Sequence, residues 1–547
     1  MTPEDLKHAI RAALEAAHAS GRIGVPAPET ITVERPKNRD HGDWSSNIAL
    51  QLAKPAGMPP RDLAGMLAEE LRAHEGIEAV EIAGPGFLNI TFASGAAGAL
   101  ATAIVEAGAG YGRGDALNGH VINLEFVSAN PTGPLHLGHT RWAALGDAIA
   151  RVLRAAGAEV TSEYYINDAG SQMDVFAASV LASLRGEPTP EGGYPGAYID
   201  ELAARVRQER PEAADLPYEE ALPVVREIAY TGQMEDIRAT LERFGVSFDV
   251  WFSERELHET GAVEQAVARL REQGHVYDSG GAVWLRTTDF GDDKDRVLIR
   301  ADGNPTYFAA DAAYYLSKRD RGFPEKIYLL GADHHGYVGR LKAIAACAGD
   351  DPDVNIEILI GQLIKVNGAR LSKRAGNIIE LADLIDWLGA DAVRYSLART
   401  PADSPLTLEP EVLRSRSNDN PVYYVQYAHA RTCGVARNAA DAGVDTAGGV
   451  QAELLEHPSE ALLLAALADY PRVVAQAAEL REPHRVARYL ESLAGLFHKW
   501  YDSCRVTPQG DAPVEPVHRA RLQLNRATGQ VLANGLGLLG VSAPERM

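Results

Sequence analysis

The short, nearly continuous apolar run VINLEFV at 121–127 is typical of a strand buried on both faces. Two prolines and a glycine at 130–134 then predict a turn, because proline fixes φ and glycine permits conformations closed to other residues. Apolar side chains recur at helical spacing over 142–153, and Gly157 ends that pattern. The pattern therefore predicts strand, turn and helix, with both histidines of HLGH at 136–139 in the first helical turn.

The same pattern divides the whole chain into three units. Residues 1–112 predict a small α/β unit, and residues 113–385 predict a Rossmann-like α/β core built on a parallel sheet. A mostly helical stretch at about 173–255 interrupts that core as an insertion between its halves. Residues 386–547 predict long helices with little strand signal, so we expect an all-α bundle at the C-terminal end.

Some local elements follow from shorter signals. In the N-terminal unit, a charged loop predicts a helix that opens at Ser45 or Ser46. In the second half of the core, apolar runs at 282–285, 297–299 and 358–360 predict further strands.

Composition limits the classes of protein to consider. The 547 residues, 46% of them hydrophobic, are enough for several buried cores, and the net charge of −22 argues against nucleic-acid binding through bulk basicity. The three cysteines are too scattered for a disulfide framework or a zinc knuckle, which suits a reducing cytoplasm. The N-terminal segment predicts a folded helix and not a signal peptide, and we expect no membrane-spanning segment.

Two histidine clusters admit more than one interpretation. His136 and His139 at a helix start favour a phosphate, because unpaired N–H groups and the helix dipole point at that position, and Gly138 leaves room for close approach. They also fit simple helix caps, or a metal pair that lacks a third ligand nearby. Asp333, His334 and His335 fit a pocket wall better than a metal site, since three adjacent residues cannot easily face one ion.

Basic side chains gather in three places despite the negative net charge. One loop carries Arg35, Lys37, Arg39 and His41, and these fit either a solvated loop or phosphate contacts. A second loop, 365–380, combines four basic residues with two glycines, which fits either a plain solvated loop or a loop that acts on charge appearing only in a transition state. The third place is the helical region, where tyrosines at 423–427 suit stacking on unpaired bases as well as core packing. Its local basic region consists of Arg394, Arg399, Arg414, Arg416, Arg431 and Arg437.

Together, these segments resemble a known family. HLGH after a strand and RLSKR after the second half-sheet look like the HIGH and KMSKS pair of class I aminoacyl-tRNA synthetases. Several longer segments are similar to arginyl-tRNA synthetases: EFVSANPTGPLHLGH, YYINDAGSQ, DAVRY, NPVYYVQYAHAR, GVSAPERM, HGDWSSNIA and GPGFLNI. The resemblance covers almost the whole chain except the insertion.

The resemblance implies an arginine–tRNA ligase that forms arginyl-adenylate from L-arginine and ATP and then esterifies the 3′-terminal adenosine of tRNA(Arg). Family members typically need bound tRNA for the first step. ATP would arrive with Mg²⁺, no tightly bound protein metal is implied, and we expect a cytoplasmic monomer. A small nucleotidyltransferase would share the histidine turn but explains neither RLSKR nor the helical third. A tRNA-binding paralogue without activity is disfavoured by the retained histidines and lysine.

The resemblance also assigns roles residue by residue. The catalytic groups would be His136, His139 and Lys373, and ATP would contact His136, Gly138, His139, Arg370 and Lys373. Arg370 departs from the signature, which has a lysine at its first position. L-Arginine would contact Glu125, Asn130, Tyr307, Asp311 and His334, with Asp311 and Glu125 forming a carboxylate fork for the guanidinium. The tRNA would contact Arg35, Lys37, Arg39, Tyr424, Arg431 and Met547.

Overall fold

The computed structural model describes residues 3–36, 41–367, 379–447 and 449–547. Its N-terminal unit is an antiparallel sheet with strand order β1-β3-β2, covered by helices. The elements are α1 Pro3–Ala19, β1 Trp44–Ser46, α2 Ile48–Ala56, α3 Pro60–Arg72, β2 Ile77–Ala83, β3 Phe87–Phe92 and α4 Ser94–Ala107.

The helix predicted to open at Ser45 or Ser46 begins later, at Ile48, so that prediction is wrong. Residues Trp44 to Ser46 instead form an edge strand, and Trp44 pairs with Ile90 on β3. Trp44 is buried, and alternate burial along this short strand favours pairing over helix.

The middle of the chain contains the parallel sheet and two additions to it. Its helices are α5 Leu137–Ala155, α6 Ser171–Arg185, α7 Ala197–Glu209, α8 Tyr218–Arg243, α9 Glu254–Glu259, α10 Ala262–Glu272, α11 Tyr307–Asp320, α12 Val338–Cys347 and α13 Leu381–Leu388. Its strands are β4 Val121–Glu125, β5 Glu159–Ile166, β6 Val250–Ser253, β7 Val276–Ser279, β8 Ala282–Leu285, β9 Arg296–Ile299, β10 Glu325–Gly331, β11 Ile356–Gly361 and β12 Ile364–Val366.

The parallel sheet has the order β11-β10-β4-β5-β6. Strand β4 is central, with β5 on one side and β10 on the other, so the chain reverses its direction of travel across the sheet there. Ligands of open α/β sheets bind at such a switch point, beyond the carboxyl ends of the strands. The turn that carries both histidines leaves β4 at that place.

Helix α5 is buried along most of its length, including Leu145, Ile149 and Leu153. Burying one such side chain stabilises the fold by about 1.5–3 kcal/mol, so these contacts fix the helix firmly on the sheet. A Cβ at Gly146 would overlap the Phe126 ring, so the helix can approach the end of β4 only because glycine stands there.

Two stretches stand apart from the parallel sheet. Helices α6, α7 and α8 pack on one another around their own apolar cluster. Strands β7, β8 and β9 form a separate antiparallel sheet, so the apolar runs at 282–285 and 297–299 do not continue the parallel one. The run at 358–360 does, as the core of β11.

The C-terminal region is a helical bundle that packs on α4 and α5. Its elements are α14 Ala390–Ala398, β13 Leu406–Leu408, α15 Pro410–Arg414, α16 Pro421–Asp441, α17 Pro458–Glu479, α18 His484–Ser503 and α19 Pro516–Leu538. By length and composition alone, α17 could cross a membrane, but half of its apolar stretch is buried inside the molecule. We interpret α17 as a core helix of the bundle.

Candidate active site

The turn after β4 has an unusual backbone. Val127 and Ser128 have φ angles of 68° and 43°, in the left-handed region that residues with a Cβ rarely occupy. The buried Tyr164 holds the turn: its hydroxyl donates to Ala129 O at 3.0 Å and accepts from Ala129 N at 3.1 Å. Strain of this kind costs about 1–3 kcal/mol per residue and is concentrated at functional sites.

The two histidines form a compact pair at the start of α5. Their ring centroids lie 3.9 Å apart. His136 caps the helix, and its Nδ1 accepts from Gly138 N at 3.1 Å, while His139 Nδ1 accepts from His136 N at 3.3 Å. A Cβ at Gly138 would lie 2.9 Å from the His136 ring, so the glycine makes room first for that imidazole.

Both imidazoles are neutral near pH 7. Burial lowers the pKa of His136, and burial together with the neighbouring His136 lowers the pKa of His139 to about 3. Because each Nδ1 accepts a hydrogen bond, the proton of each ring is on Nε2. The pair therefore offers a ligand two N–H donors without placing a fixed positive charge in the site.

One cleft of about 1700 Å³ contains this pair and the other predicted small-molecule contacts. From the sequence-based predictions it brings together Glu125, Asn130, His136, Gly138, His139, Tyr307, Asp311 and His334. These residues come from β4, the turn after it, α5, α11 and the segment after β10. Tyr307 is exposed to the cleft, with 64% of its surface accessible.

Glu125, which lines the cleft, and two buried carboxylates that do not line it, Glu163 and Asp168, already have a cation. Lys318 Nζ is fully buried and lies 2.6 Å from Glu125 Oε2. Arg321 donates twice to Glu163, at 2.6 and 2.9 Å. The third is Asp168, which accepts from the backbone N of Arg255 at 3.1 Å, with the Arg255 guanidinium 3.5 Å away.

Asp311 and Glu254 line the same cleft without such a cation. In the part of the chain that the structure describes, neither has a lysine or arginine nitrogen within 4 Å, although His258 Nε2 lies 3.9 Å from Glu254. Tyr337 donates its hydroxyl to Asp311. Burial, helped by neighbouring carboxylates, raises the pKa of each of Asp311 and Glu254 to about 7. The buried Glu254 and the partly buried Asp311 thus place acidic side chains in the cleft without a described lysine or arginine partner.

Glu254 was missed in the sequence. It is the first residue of a six-residue helix directly after the four-residue strand β6, and no local pattern distinguishes it from the other glutamates. Pairing of β6 with β5 brings it to the switch point.

The residues that flank segment 368–378 are tied to the histidine turn. Leu137 N donates to Ile379 O at 2.8 Å, and Leu381 N donates to Leu135 O at 2.7 Å. Before the segment, Gln362 O accepts from the buried guanidinium of Arg141 at 2.8 Å. The predicted ATP contacts Arg370 and Lys373 lie outside the described residues, and so do the side chains of Asp333 and His335.

The insertion contributes to the cleft, although its sequence showed no chemistry. Tyr198 donates its hydroxyl to Thr132 O at 3.0 Å, within the turn that precedes the histidines. Glu201, Gln233 and Asp236 from α7 and α8 line the same wall. Among the described residues, no group of three histidine, cysteine, aspartate or glutamate side chains could hold a metal ion.

Those predicted tRNA contacts that belong to the described residues do not line the cleft. Arg35 stacks on Trp44 in the N-terminal unit, with its guanidinium 5.0 Å from the ring centroid, while Lys37 and Arg39 lie outside the described residues. On α16, Arg431 donates to Tyr427 Oη at 2.8 Å, and Tyr424 packs on the His498 ring. The last residue, Met547, is half exposed.

Only some arginines of the local basic region expected in this part of the chain lie on the surface. Arg394 is buried, with 1% of its surface accessible, and Arg399 pairs with Glu491 at 2.5 Å. Arg394 therefore acts inside the protein, whereas Arg399 is exposed and its charge is paired with Glu491.

Comparison with known proteins agrees with this geometry. Residues 102–189 and 225–397 match the family model "tRNA synthetases class I (R), catalytic domain". Residues 4–92 match "Arginyl tRNA synthetase N terminal domain", and residues 425–547 match "DALR anticodon binding domain". A histidine pair at the switch point of a parallel sheet, followed by a helical bundle, thus defines a class I aminoacyl-tRNA synthetase, as the signature pair predicted.

Full-length relatives specify the family. The chain is 70% identical over 550 residues to the arginine–tRNA ligase of Paenarthrobacter aurescens and 69% identical over 554 residues to that of Pseudarthrobacter chlorophenolicus, covering all of each protein. It also superposes on all of the Thermus thermophilus arginyl-tRNA synthetase, with a TM-score of 0.74 and 25% identity. The chain belongs to the arginyl-tRNA synthetase family.

Proposed function

We propose that the chain activates L-arginine with ATP and esterifies tRNA(Arg) with it. In the first step, a carboxylate oxygen of arginine attacks the α-phosphorus, the bond from that phosphorus to the bridging oxygen breaks, and pyrophosphate leaves. In the second step, the 2′-OH of the terminal adenosine attacks the carbonyl carbon of arginyl-adenylate. AMP leaves, and the ester then joins arginine to tRNA.

The histidine pair forms the triphosphate end of the site. Negative charge increases on the phosphate oxygens in the transition state, and preorganised donors stabilise it there. The two Nε2–H groups of His136 and His139 are such donors. Arg370 and Lys373, which lie outside the described residues, are the further proposed ATP contacts and would add positive charge. Mg²⁺ arrives with the nucleotide, as part of the substrate.

The carboxylates form the amino-acid end of the site. Asp311 and Glu254 receive the guanidinium, because Glu125, the second arm of the expected fork, already binds Lys318. The negative charge of Glu125 then raises the pKa of the neighbouring Asp311, and Glu125 does not itself bind the guanidinium. Tyr307 packs beside the substrate. Asn130 and His334 contact the amino acid toward the histidines. A lysine substrate would leave part of this fork unpaired, and unpaired buried polar groups oppose binding.

The remaining units bind tRNA. We assign residues 1–112, with Arg35, Lys37 and Arg39, to tRNA recognition, residues 113–385 to catalysis, and residues 386–547 to the anticodon. Tyr424, Arg431 and Met547 are the proposed contacts in this last unit. The proposed enzyme acts in the cytoplasm. Because the described lining of the cleft comes from one chain, we also propose a monomer, which light scattering of the purified protein can test.

The observation that carries this function is the charge of the cleft. The buried Glu254 and the partly buried Asp311 lie in the same cleft as the histidine pair, and neither has a lysine or arginine partner among the described residues. We test it by incubating the protein with ATP, each of the twenty amino acids in turn and total tRNA. Only arginine should be esterified, and only to tRNA(Arg). Charging of another amino acid, or of none, contradicts the proposal.

The arginine requirement should depend on pH. Since the pKa of Asp311 and of Glu254 is about 7, both carboxyls become protonated as the pH falls from 8 to 6 and then no longer attract a guanidinium. KM for arginine should rise about tenfold per pH unit below 7 if one proton must be lost on binding. The other titratable or charged groups that act on this pair are Glu125, Asp168, Tyr165, Tyr337, His258 and Arg340.

The measurement is KM for arginine and for ATP across this pH range. KM for ATP should change much less, because burial lowers the pKa of both histidines, that of His139 to about 3. A flat KM for arginine would show that these carboxyls do not receive the guanidinium.

A further inference from the structure

Arg394 is the most connected buried cation outside the cleft among the described residues. It lies on α14, and its guanidinium reaches three other parts of the chain. It donates to Phe244 O at 2.9 Å and Gly245 O at 3.1 Å, just after α8, and to Leu539 O at 3.1 Å, just after α19. Its fourth partner is the carboxylate of Asp147.

Asp147 connects this cluster to the catalytic helix. It lies on α5, eight residues after His139, which places it about 12 Å farther along the helix axis. Arg151 on the same helix also donates to Asp147 at 2.7 Å and reaches Gly537 O at 3.3 Å. We name Asp147, Arg151 and Arg394 the α5 junction. It joins the histidine helix to the end of the C-terminal bundle.

The junction continues toward the last residues of the chain. Three residues before Arg394, Asp391 accepts from the backbone N of Ser542 at 3.1 Å and also from its hydroxyl. Gln426 on α16 donates to Ser542 O at 2.9 Å. The tail that carries Met547 is therefore fixed to α14 and α16 directly beside Arg394.

The hydrogen bonds of the α5 junction differ in kind from the apolar packing of other helices on α5. Helix α17 also packs on α5, but apolar packing has no directional preference. Hydrogen bonds to a buried guanidinium are directional, so a small shift of one partner breaks them. A Cβ at Gly540, whose φ is +65°, would overlap the Arg394 guanidinium, so the tail fits around this side chain closely.

We propose that Asp147 and Arg394 are positioning residues for aminoacylation. They hold α5, and with it the histidine pair, in a fixed relation to the C-terminal bundle and its tail. A tRNA held by the bundle then meets the histidines with its 3′ end correctly placed. The proposal rests on the proposed function, since it requires tRNA to bind at both places.

The test uses the full-length protein with tRNA(Arg), ATP and arginine. Three variants disturb the junction in different ways: Arg394→Met removes the cation, Asp147→Asn keeps the shape but removes the charge, and Gly540→Ala removes no charge at all. For each, we expect kcat per titrated active site to fall at least tenfold. KM for tRNA, arginine and ATP should change less than threefold, because no substrate contact is altered.

The matched control is Arg521→Met. Arg521 binds the fully buried Glu460 at 2.7 Å, also through a guanidinium, but within the bundle and away from α5. This variant should lose thermal stability and keep kcat. The double variant with Asp147→Asn and Arg394→Met should be no slower than the slower single variant, since both changes break one junction.

Each outcome decides the question. The inference is overturned if kcat of the folded junction variants stays within twofold of wild type, or falls only as far as in the Arg521→Met control. It is also overturned if KM for a substrate rises in place of the loss in kcat. Wild-type charging is measured in the same series, so absence of any charging by wild type would contradict the proposed function instead.

Discussion

Replacing Asp311 by asparagine should raise KM for arginine about 10²- to 10⁴-fold, because removing one partner of a buried ion pair costs about 3–5 kcal/mol. The amide keeps the shape and can still accept from Tyr337, but it carries no charge for the guanidinium. KM for ATP should change less than threefold, since the triphosphate binds at the histidine end of the cleft. Steady-state charging at varied arginine and ATP measures both constants.

Glu254→Gln should give the same pattern, because Glu254 is the other carboxylate in the cleft without a lysine or arginine partner among the described residues. The matched control is Asp350→Asn. Asp350 binds the buried Lys326 at 2.9 Å but does not line the cleft, so its loss should reduce stability and leave both KM values unchanged. Equal rises in the KM for arginine and for ATP in Asp311→Asn would remove Asp311 from the amino-acid pocket.

Local periodicity was enough to predict the element that carries the histidines. The strand, the turn and helix α5 each have a signal within a few neighbouring residues: an apolar run, two prolines and a helical spacing. Asp311 was assigned through the family resemblance, and it lies one turn after Tyr307 at the start of α11. These predictions needed no knowledge of distant contacts.

Contacts between distant segments explain what the sequence could not show. Glu254 becomes a site residue only through the pairing of β6 with β5, and Glu125 is neutralised by Lys318, 193 residues later. Arg394 was interpreted as part of a basic surface because its charge gives no sign of burial. Strands β8 and β9 have the apolar content of core strands, but their partners are each other.

Replacing Lys373 by alanine should reduce the rate of aminoacylation about 10²- to 10³-fold, the usual effect of losing one donor that acts on transition-state charge. The prediction rests on the signature in the sequence and on the backbone bonds that fix Ile379 and Leu381 to the histidine turn. An ammonium that acts only on the transition state contributes little to ground-state binding, so the Kd for tRNA should change less than threefold.

A second lysine variant serves as the control that separates the specific effect of Lys373 from a general loss of positive charge. Lys342 is about half exposed and pairs with Asp353, away from the cleft, so Lys342→Ala should charge tRNA at the wild-type rate. Single-turnover formation of arginyl-adenylate and tRNA binding by filter retention are measured on both variants. Wild-type adenylate formation by Lys373→Ala would mean that the two imidazoles and the remaining basic residues stabilise the phosphates without it. A fall in tRNA affinity that matches the fall in rate would instead make Lys373 a tRNA contact.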